Sequence, residues 1–416
     1  MRVQPYATEK DEVLAEDNVN MIVDTPNDRS LYAAFDVYPA PKGAATHIKQ
    51  FANALFEHHG GGTLYVLGGS GLPSYQCEPN VEIIRFDRQI SNLLERAMAF
   101  GEGLAGVLDL KRESLQVCHY RDPWSGLPIE GLRESRGVKY KTVYEVNALP
   151  SIELPYAFPH IAPETLEKIA HQEAYCLAMC DAIVTPSRVT AEMLECRGVA
   201  ADKISVIPNG AVMSENRLRP NDAPDKYLLY FGAIQQWQGV DELLRAFRGL
   251  ADFDELKLVM CVGKHNRIAK QYRKLAEKLE IDSRVEWHYG LTQDELVPWV
   301  QHAYLTVAPL TDCSRNREQG CCPLKILESM AAGVPVVASD LPVVRELLIP
   351  DEHALLVRPG RYLELSVAMR CLLDEPDFAR RMGLNAQAHV KQHYTWEKAV
   401  EQLKKIYQMV GGSQSH

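Results

Sequence analysis

The chain has 416 residues, of which 46% are hydrophobic and 24% charged, and its formal net charge is −10. This length predicts two domains, because it exceeds what a single hydrophobic core usually serves. The negative charge and the lack of a long basic or apolar run argue against a nucleic-acid partner and against a transmembrane segment. Ten cysteines without paired Cys-x-x-Cys spacing predict a reducing cytoplasm and no metal site.

The first half of the chain is predicted to alternate strands with helices. Residues 1–28, which precede it, carry seven acidic and two basic side chains without periodicity and are predicted to be a disordered extension. The first strand is predicted at 30–37, and an apolar stripe predicts a helix at 45–58. Further strands are predicted at 63–67, 81–86, 115–119, 141–146, 182–185 and 204–207, with helices at 92–108, 164–179 and 188–197. This alternation predicts a parallel sheet with helices on both faces.

A second α/β series follows residues 213–226, which lack periodicity and are interpreted as an interdomain linker. Its predicted strands are 227–231, 256–262, 285–288, 304–308, 334–338 and 354–357, and its predicted helices are 240–249, 268–279, 293–302, 323–332, 362–373, 378–392 and 396–409. The predicted fold class is therefore α/β, with two doubly wound Rossmann-like domains at 29–212 and 227–393. Two such domains in tandem place a ligand site in the cleft between them.

Residues 321–340 hold the most informative local pattern: two cysteines in a loop, a helix opened by Pro323, and a buried strand beyond Gly333. Free N–H groups and the positive dipole end at the start of such a helix favour an anion in front of the loop. Lys325 in the first turn is unfavourable unless an anion is bound, and Glu328 lies on the same helix face. The pattern predicts a phosphate site at the carboxyl edge of the second sheet, in preference to an ordinary capped surface helix.

Six short segments of the chain carry a family resemblance through their order and spacing. They are residues 41–43, 180–187, 206–210, 232–241, 328–333 and 394–397. Together they resemble the GT-B fold glycosyltransferases of family 4, the retaining, nucleotide-sugar-dependent group, over roughly residues 32–407. The resemblance implies that a helix at 394–410 returns to the first domain. It also implies a nucleoside diphosphate sugar as substrate, with no cofactor and no metal required.

The chain departs from the family pattern at three positions. The family commonly carries two glutamates eight positions apart; Glu328 matches the second, whereas Gly320 stands where the first would fall. Ala233 and Gln238 stand where the family commonly has basic clamps on the diphosphate. A branch of bacterial sugar transferases of the exopolysaccharide type looks similar at these places, which favours a variant site rather than an inactive one.

A leaving diphosphate requires about two positive charges in a dry cleft. With the usual basic pair absent, we expect Lys325, Arg315 and Arg317 to supply these charges, and Lys264 is a weaker candidate. The resemblance implies that Glu328 accepts hydrogen bonds from the ribose hydroxyls. The predicted catalytic residues are Lys325, Glu328 and Arg317, and the predicted donor-binding residues are Gly232, Gln238, Arg315, Gly320, Cys321, Cys322, Leu324, Lys325 and Glu328.

The first domain is expected to hold the sugar or the acceptor through Lys42, Gly43, His119, Glu145 and Asn147. A glutamate in an otherwise apolar strand is costly unless a partner or a ligand meets it, so a structural pairing explains Glu145 and Asn147 equally well.

Several alternatives remain open from the sequence. A non-catalytic nucleotide-sugar-binding protein is one, and a GT-B enzyme of different chemistry, such as an epimerase or a phosphorylase, is another. Residues 68–71 lack the third glycine and the helix of a dinucleotide site, and Asn209 with Gly210 is interpreted as a turn. The expected partners are a nucleotide-sugar donor and a sugar or lipid-linked acceptor. Peripheral contact with the inner face of the membrane and the oligomeric state stay open.

Overall fold

The computed structural model describes residues 29–40, 42–263 and 267–411 as two parallel α/β sheets with helices packed on their faces. The predictions made for residues 1–28 and for Lys264 lie outside the described residues. In the described ranges, no helix is long and apolar enough to cross a membrane.

The first sheet lies in the N-terminal half of the chain. Its strands are β1 (Ser30–Val37), β2 (Gly62–Leu67), β3 (Tyr75–Glu78), β4 (Val81–Phe86), β5 (Val117–Tyr120), β6 (Lys141–Glu145), β7 (Ala182–Thr185) and β8 (Ile204–Val206). Its helices are α1 (Gly43–His59), α2 (Leu93–Lys111), α3 (Pro123–Arg136), α4 (Pro150–Ala157), α5 (Pro163–Met179) and α6 (Arg188–Cys196). The strand order is β3-β4-β2-β1-β5-β6-β7-β8, and β3 pairs antiparallel with β4 at the edge of an otherwise parallel sheet.

The second sheet has the order β11-β10-β9-β12-β13-β14, and each strand pairs in parallel with its neighbours. Its strands are β9 (Lys226–Gly232), β10 (Leu256–Val262), β11 (Val285–Tyr289), β12 (Leu305–Ala308), β13 (Val336–Ser339) and β14 (Ala354–Val357). Its helices are α7 (Val240–Arg248), α8 (Arg267–Lys278), α9 (Gln293–Gln301), α10 (Leu324–Ala331), α11 (Pro342–Arg345), α12 (Tyr362–Asp374) and α13 (Pro376–His393), and the last helix of the chain is α14 (Trp396–Gly411).

Each sheet has a topological switch point where its strand order reverses. In the first sheet β1 lies between β2 and β5, and in the second β9 lies between β10 and β12. Ligands of doubly wound sheets bind in the crevice at the carboxyl ends of such strands. The turn after β1, the turn after β9 and the loop that leads from β12 to α10 all start from these ends, which positions a cleft between the two sheets.

Helix α14 returns to the first sheet, as the resemblance implied. Its buried residues Trp396, Leu403 and Tyr407 pack in one core cluster with Phe51 and Leu55 of α1. The crossing is anchored before the helix, where the backbone N–H of Ala211 donates to the carbonyl of Tyr394 at 2.8 Å.

Four elements were not predicted: β3, α3, α4 and α11. Helix α3 contains Pro128 and two glycines, and α4 contains Pro155, so local propensity opposes both helices. Asp122 compensates at the start of α3 by accepting a hydrogen bond from the backbone N–H of Ser125 at 2.8 Å.

Candidate active site

A cavity of about 690 Å³ lies between the turn after β1 and the carboxyl end of the second sheet. Of the residues predicted for the site, it is lined by Lys42, Gly43, Gly232, Gln238, Arg315, Cys321, Cys322, Leu324, Lys325 and Glu328. The two walls approach closely, because a Cβ on Gly43 would lie 2.8 Å from Cδ1 of Leu324. A larger cavity of about 1270 Å³, around Arg29 and Arg136, lies at the amino ends of β1, β5 and β6 and contains none of the predicted residues.

Helix α10 carries the two ionisable groups that the pattern singled out. Pro323 precedes the helix with φ −73° instead of being its first residue, a shift of one position from the prediction. Ile326 and Leu327 are buried in the core, which leaves Lys325 and Glu328 on the face that lines the cavity.

Lys325 extends over the carboxyl end of β9. Its Nζ donates to Oε1 of Gln238 at 2.5 Å and lies 4.1 Å from the centre of the Tyr230 ring. Gly232 has φ 110°, and a Cβ there would lie 3.7 Å from Cε of Lys325. Burial lowers the pKa of Lys325 to about 7, although the neighbouring Glu328 acts in the opposite direction. In the described part of the chain, no carboxylate forms an ion pair with this lysine.

Glu328 faces the same cavity, and few groups near its carboxylate offset the negative charge. Its Oε1 accepts a hydrogen bond from Nε2 of Gln293 in α9 at 3.1 Å. Burial raises the pKa of Glu328 to about 7, although this hydrogen bond and Lys325 act in the opposite direction. A lysine and a glutamate whose ionised forms are both disfavoured in the free protein are typical of a ligand site.

Arg315 lines the cavity with its charge already paired. Its Nε lies 3.0 Å from Oε1 of Glu153 in α4, and its guanidinium carbon lies 5.2 Å from the centre of the Trp237 ring. Next to it, Oε1 of Gln319 accepts a hydrogen bond from the backbone N–H of Leu149 at 2.9 Å. These contacts join the loop after β12 to the first half of the chain.

Two of the predicted donor-side residues lie outside the cavity. Arg317 is exposed and forms a two-pronged pair with Asp312, with Nη2 at 2.7 Å from Oδ2, so its charge points to solvent. Gly320 has φ 83°, and a Cβ there would lie 2.7 Å from the hydroxyls of Ser187 and Thr190. A larger side chain at this position would therefore require the start of α6 to shift.

The expectation that His119 and Glu145 face the acceptor requires correction. Their side chains are 0% and 1% exposed, and Glu145 is surrounded by cationic and hydroxyl groups of the first sheet. Asn147 is half-buried and donates to Glu145, so it belongs to the same cluster. Structural pairing, which the sequence left open for Glu145 and Asn147, is the arrangement that the structure shows for both, and His119 shares it.

Sequence reasoning missed His47 and Asn209. His47 belongs to α1, and its Nδ1 lies 2.7 Å from Oδ1 of Asn209. The amide of Asn209 donates in turn to the carbonyl oxygen of Cys322 at 2.8 Å. A histidine beside the apolar stripe of α1 and the turn at Asn209 were the available signals, but neither identifies a partner, because the partners come from distant segments.

Among the residues that the structure describes, no group of three or more histidine, cysteine, aspartate or glutamate side chains is placed to hold a metal ion.

Two family descriptions match adjoining parts of the chain. Residues 41–214 match Glycosyltransferase Family 4, and residues 215–389 match Glycosyl transferases group 1. A D-inositol 3-phosphate glycosyltransferase from Xylanimonas cellulosilytica is 25% identical over 285 residues, 64% of this chain and 65% of that protein. The chain thus spans less than two thirds of the length of the curated relatives that it matches first.

Solved structures show the same fold. Sucrose-phosphate synthase from Thermosynechococcus elongatus superimposes with a TM-score of 0.74 at 20% identity, over 92% of this chain and 99% of that one. Anabaena HepE in complex with UDP-glucose superimposes with a TM-score of 0.71 at 15% identity, over 91% and 99% of the two chains. With both halves matched in order and the whole fold shared, this chain belongs to the GT-B glycosyltransferases of family 4.

Proposed function

We propose that this chain transfers a sugar from a nucleoside diphosphate sugar to an acceptor hydroxyl with retention of anomeric configuration. One observation carries the proposal: Lys325 and Glu328 share a cavity at the start of α10, and burial disfavours the ionised form of each. A diphosphate would restore the charge on Lys325, and ribose hydroxyls would donate to Glu328. Retention follows from the family and not from any feature of the cavity.

The donor would lie with its diphosphate against the loop of Cys321, Cys322 and Leu324. The N–H groups at the start of α10 supply partial positive charge there, and Lys325 supplies a full charge beside Gln238 and Gly232. Arg315 would contribute the second charge by turning from Glu153 towards the phosphate. Because HepE is described in complex with UDP-glucose, UDP is the first nucleotide to test.

The acceptor would bind on the wall formed by the first half of the chain. Lys42 and Gly43 line this wall, and Lys42 pairs with Asp36. A cationic side chain at this position suits an acceptor that carries a phosphate or a carboxylate. The name of the Xylanimonas relative, which specifies an inositol phosphate, supports an acceptor of this kind in glycolipid or polysaccharide synthesis.

We further propose that residues 29–212 and 227–393 act as acceptor and donor domains, and that transfer requires no bound metal. The boundary between the two family matches falls within the proposed linker. Lys325 and the N–H groups at the start of α10 would stabilise the negative charge that develops on the leaving diphosphate, which a metal ion stabilises in other enzymes. All ten cysteines are free thiols, which supports action in a reducing compartment such as the cytoplasm. Addition of EDTA should therefore leave the transfer rate unchanged.

A non-catalytic nucleotide-sugar-binding protein is the second candidate. It is favoured by Gly320, Ala233 and Gln238, which stand where the family commonly has a glutamate and a pair of basic residues. Purified protein that releases UDP from UDP-glucose faster than its Lys325→Ala variant would support the enzyme. Binding of UDP-glucose with no release of UDP, with or without candidate acceptors, would support the binding protein.

A thermal-unfolding screen with UDP, GDP and ADP tests the donor site itself. A nucleotide at a hundred times its Kd should stabilise the wild-type protein by about 2.7 kcal/mol. The Glu328→Ala variant should lose most of this stabilisation while unfolding normally without nucleotide. If none of the three nucleotides stabilises the wild type, the cavity is not a nucleoside diphosphate site.

A further inference from the structure

Glu145 is the centre of a buried polar cluster with Tyr32, His47, His119 and Arg121, here called the Glu145 cluster. Its Oε1 lies 2.6 Å from Nε of Arg121 and 2.9 Å from Nε2 of His47, and its Oε2 lies 2.7 Å from the Tyr32 hydroxyl and 3.1 Å from Nε2 of His119. The two histidines meet the carboxylate at ion-pair distance without aligned hydrogen bonds. One carboxylate therefore joins β1, α1, β5 and β6.

The first connection from this cluster leads to the donor loop. The amide N–H of Asn209 donates to the carbonyl of Cys322, so the amide oxygen faces His47 and accepts from its Nδ1. Asn209 is 7% exposed and belongs to the first half of the chain, whereas Cys322 lines the cavity from the second. The contact is thus a buried polar link between the two walls.

The second connection leads to the opposite wall of the same cavity. Arg121 lies 4.0 Å from Asp36 through its Nη1, and Asp36 pairs with Lys42, which lines the cavity. The backbone N–H of Val37 donates to Asp36 at 2.9 Å and holds this carboxylate in place.

We propose that Glu145 is a positioning residue for the donor cavity. Through His47 and Asn209 it fixes the loop at Cys322, and through Arg121 it orients the residues that hold Lys42. A buried carboxylate paired with the Arg121 guanidinium cannot shift without leaving a charge unpaired, so it keeps both connections in place. The inference rests on the proposed function for what the cavity binds, but the placement of the loop can be measured without any ligand.

A third connection offers a matched control. Nδ1 of His119 lies 2.7 Å from the hydroxyl of Tyr407 in α14, and this buried contact does not lead to the cavity. The Tyr407→Phe variant leaves His119 with a buried unpaired nitrogen, as Asn209→Ala does for the carbonyl of Cys322. Both variants are expected to lower the thermal unfolding temperature, but only Asn209→Ala should change the loop.

Hydrogen–deuterium exchange of the full chain, without ligand, tests the proposal. Asn209→Ala and Glu145→Gln should accelerate exchange of the Ile326 amide, which donates to the carbonyl of Pro323 at the end of the loop, by about tenfold, the effect of losing one buried hydrogen bond. Tyr407→Phe should leave exchange in this loop within twofold of wild type. Unchanged loop exchange in Asn209→Ala, or equal acceleration in Tyr407→Phe, would overturn the proposal.

UDP binding to the same proteins separates this inference from the proposed function. If wild type binds UDP, Asn209→Ala should bind it about tenfold more weakly, and Tyr407→Phe should bind it normally. A wild type that binds no nucleoside diphosphate contradicts the proposed function, while the exchange result still decides the positioning role. Tight UDP binding together with normal affinity in Asn209→Ala contradicts the positioning role alone.

Discussion

Glu145 and Glu328 are both carboxylates withdrawn from water, and their surroundings move their pKa values in opposite directions. Burial alone would raise the pKa of Glu145, but the charges of His47 and Arg121 hold it well below the usual range. For Glu328, burial prevails over Gln293 and Lys325 and raises the pKa to about 7. The first carboxylate is ionised within a set of fixed counter-ions, whereas the second lacks sufficient neutralisation.

The basic residues beside these carboxylates differ in the same way. Burial alone would lower the pKa of Arg121, but Glu145 raises it. Burial lowers the pKa of Lys325 to about 7, and its Nζ donates to the uncharged amide of Gln238. The comparison teaches that the Glu145 carboxylate is neutralised within the free protein and the cavity pair is not, which supports the proposal that a ligand supplies the missing charge and hydrogen bonds.

Replacing Glu145 should have the largest effect on stability. Glu145→Ala leaves Arg121 and His47 buried without their counter-ion, so the free energy of unfolding should fall by about 3–5 kcal/mol in urea titrations. Glu328→Ala, measured identically, should change it by less than about 1 kcal/mol. Equal stability changes in the two variants would show that the clusters do not differ as described.

Replacing Lys325 should have the largest effect on transfer. Charge on the leaving diphosphate grows in the transition state, so Lys325→Ala should lower kcat by about 10²–10³-fold, and nucleoside affinity far less. Lys325→Arg should recover only part of the lost turnover, because the planar guanidinium group cannot occupy the same position as the compact ammonium group. Near-normal turnover in Lys325→Ala would indicate that Arg315, and not Lys325, supplies the positive charge to the leaving diphosphate.

Replacing Glu328 should weaken binding of the nucleotide part of the donor. Glu328→Ala leaves the ribose hydroxyls without an acceptor, at a cost of about 1–3 kcal/mol in nucleoside diphosphate affinity. Calorimetric titration measures the change directly, and Glu328→Gln, which keeps one acceptor, should retain part of the affinity. An affinity of Glu328→Ala within twofold of wild type would exclude the ribose contact.

Changing the pH should have a smaller effect than these substitutions, and the Kd of the nucleoside diphosphate should rise both above and below pH 7. Above pH 7 free Lys325 is mainly neutral, and a bound diphosphate favours its charged form, so binding takes up a proton and Kd rises with pH. Below pH 7 free Glu328 is mainly protonated, and binding releases that proton, so Kd rises as pH falls. Each limb is limited to about tenfold per pH unit.

Single variants separate the two limbs. Lys325→Met should flatten the alkaline limb and Glu328→Gln the acid limb, while the titration of the nucleotide phosphate is common to all proteins. A wild-type Kd that does not change between pH 6 and pH 8 would contradict the two pKa values.

The sequence predicted the fold well wherever the signal was local. Strand β1 at Ser30–Val37 and strand β4 at Val81–Phe86 have the predicted bounds, because apolar and β-branched side chains alternate or run together there. Helices α3 and α4 were missed, since the prolines in both and the glycines in α3 lower helix propensity, which tertiary packing and, for α3, the Asp122 cap offset.

The same distinction holds for the site. Lys325, Glu328 and the loop before them follow each other in sequence, so a local pattern could predict that they line one cavity. Asn209 and Cys322 are 113 positions apart, and no local pattern indicates their hydrogen bond. The burial of Glu145 depends on partners from three other elements, β1, α1 and β5, which no local pattern identifies, so the sequence left both a structural pairing and a ligand contact open.

Thermal unfolding of Lys325→Met and Tyr407→Phe, with and without UDP, tests most directly the claim that the cavity pair, and not the buried polar groups of the first sheet, is stabilised by a ligand. Lys325→Met removes a desolvated amine and should raise the stability of the free protein by about 1 kcal/mol while abolishing stabilisation by UDP. Tyr407→Phe should lower free-protein stability by about 1–3 kcal/mol and keep the full stabilisation by UDP. A Lys325→Met protein that is less stable than wild type and fully stabilised by UDP would contradict the account.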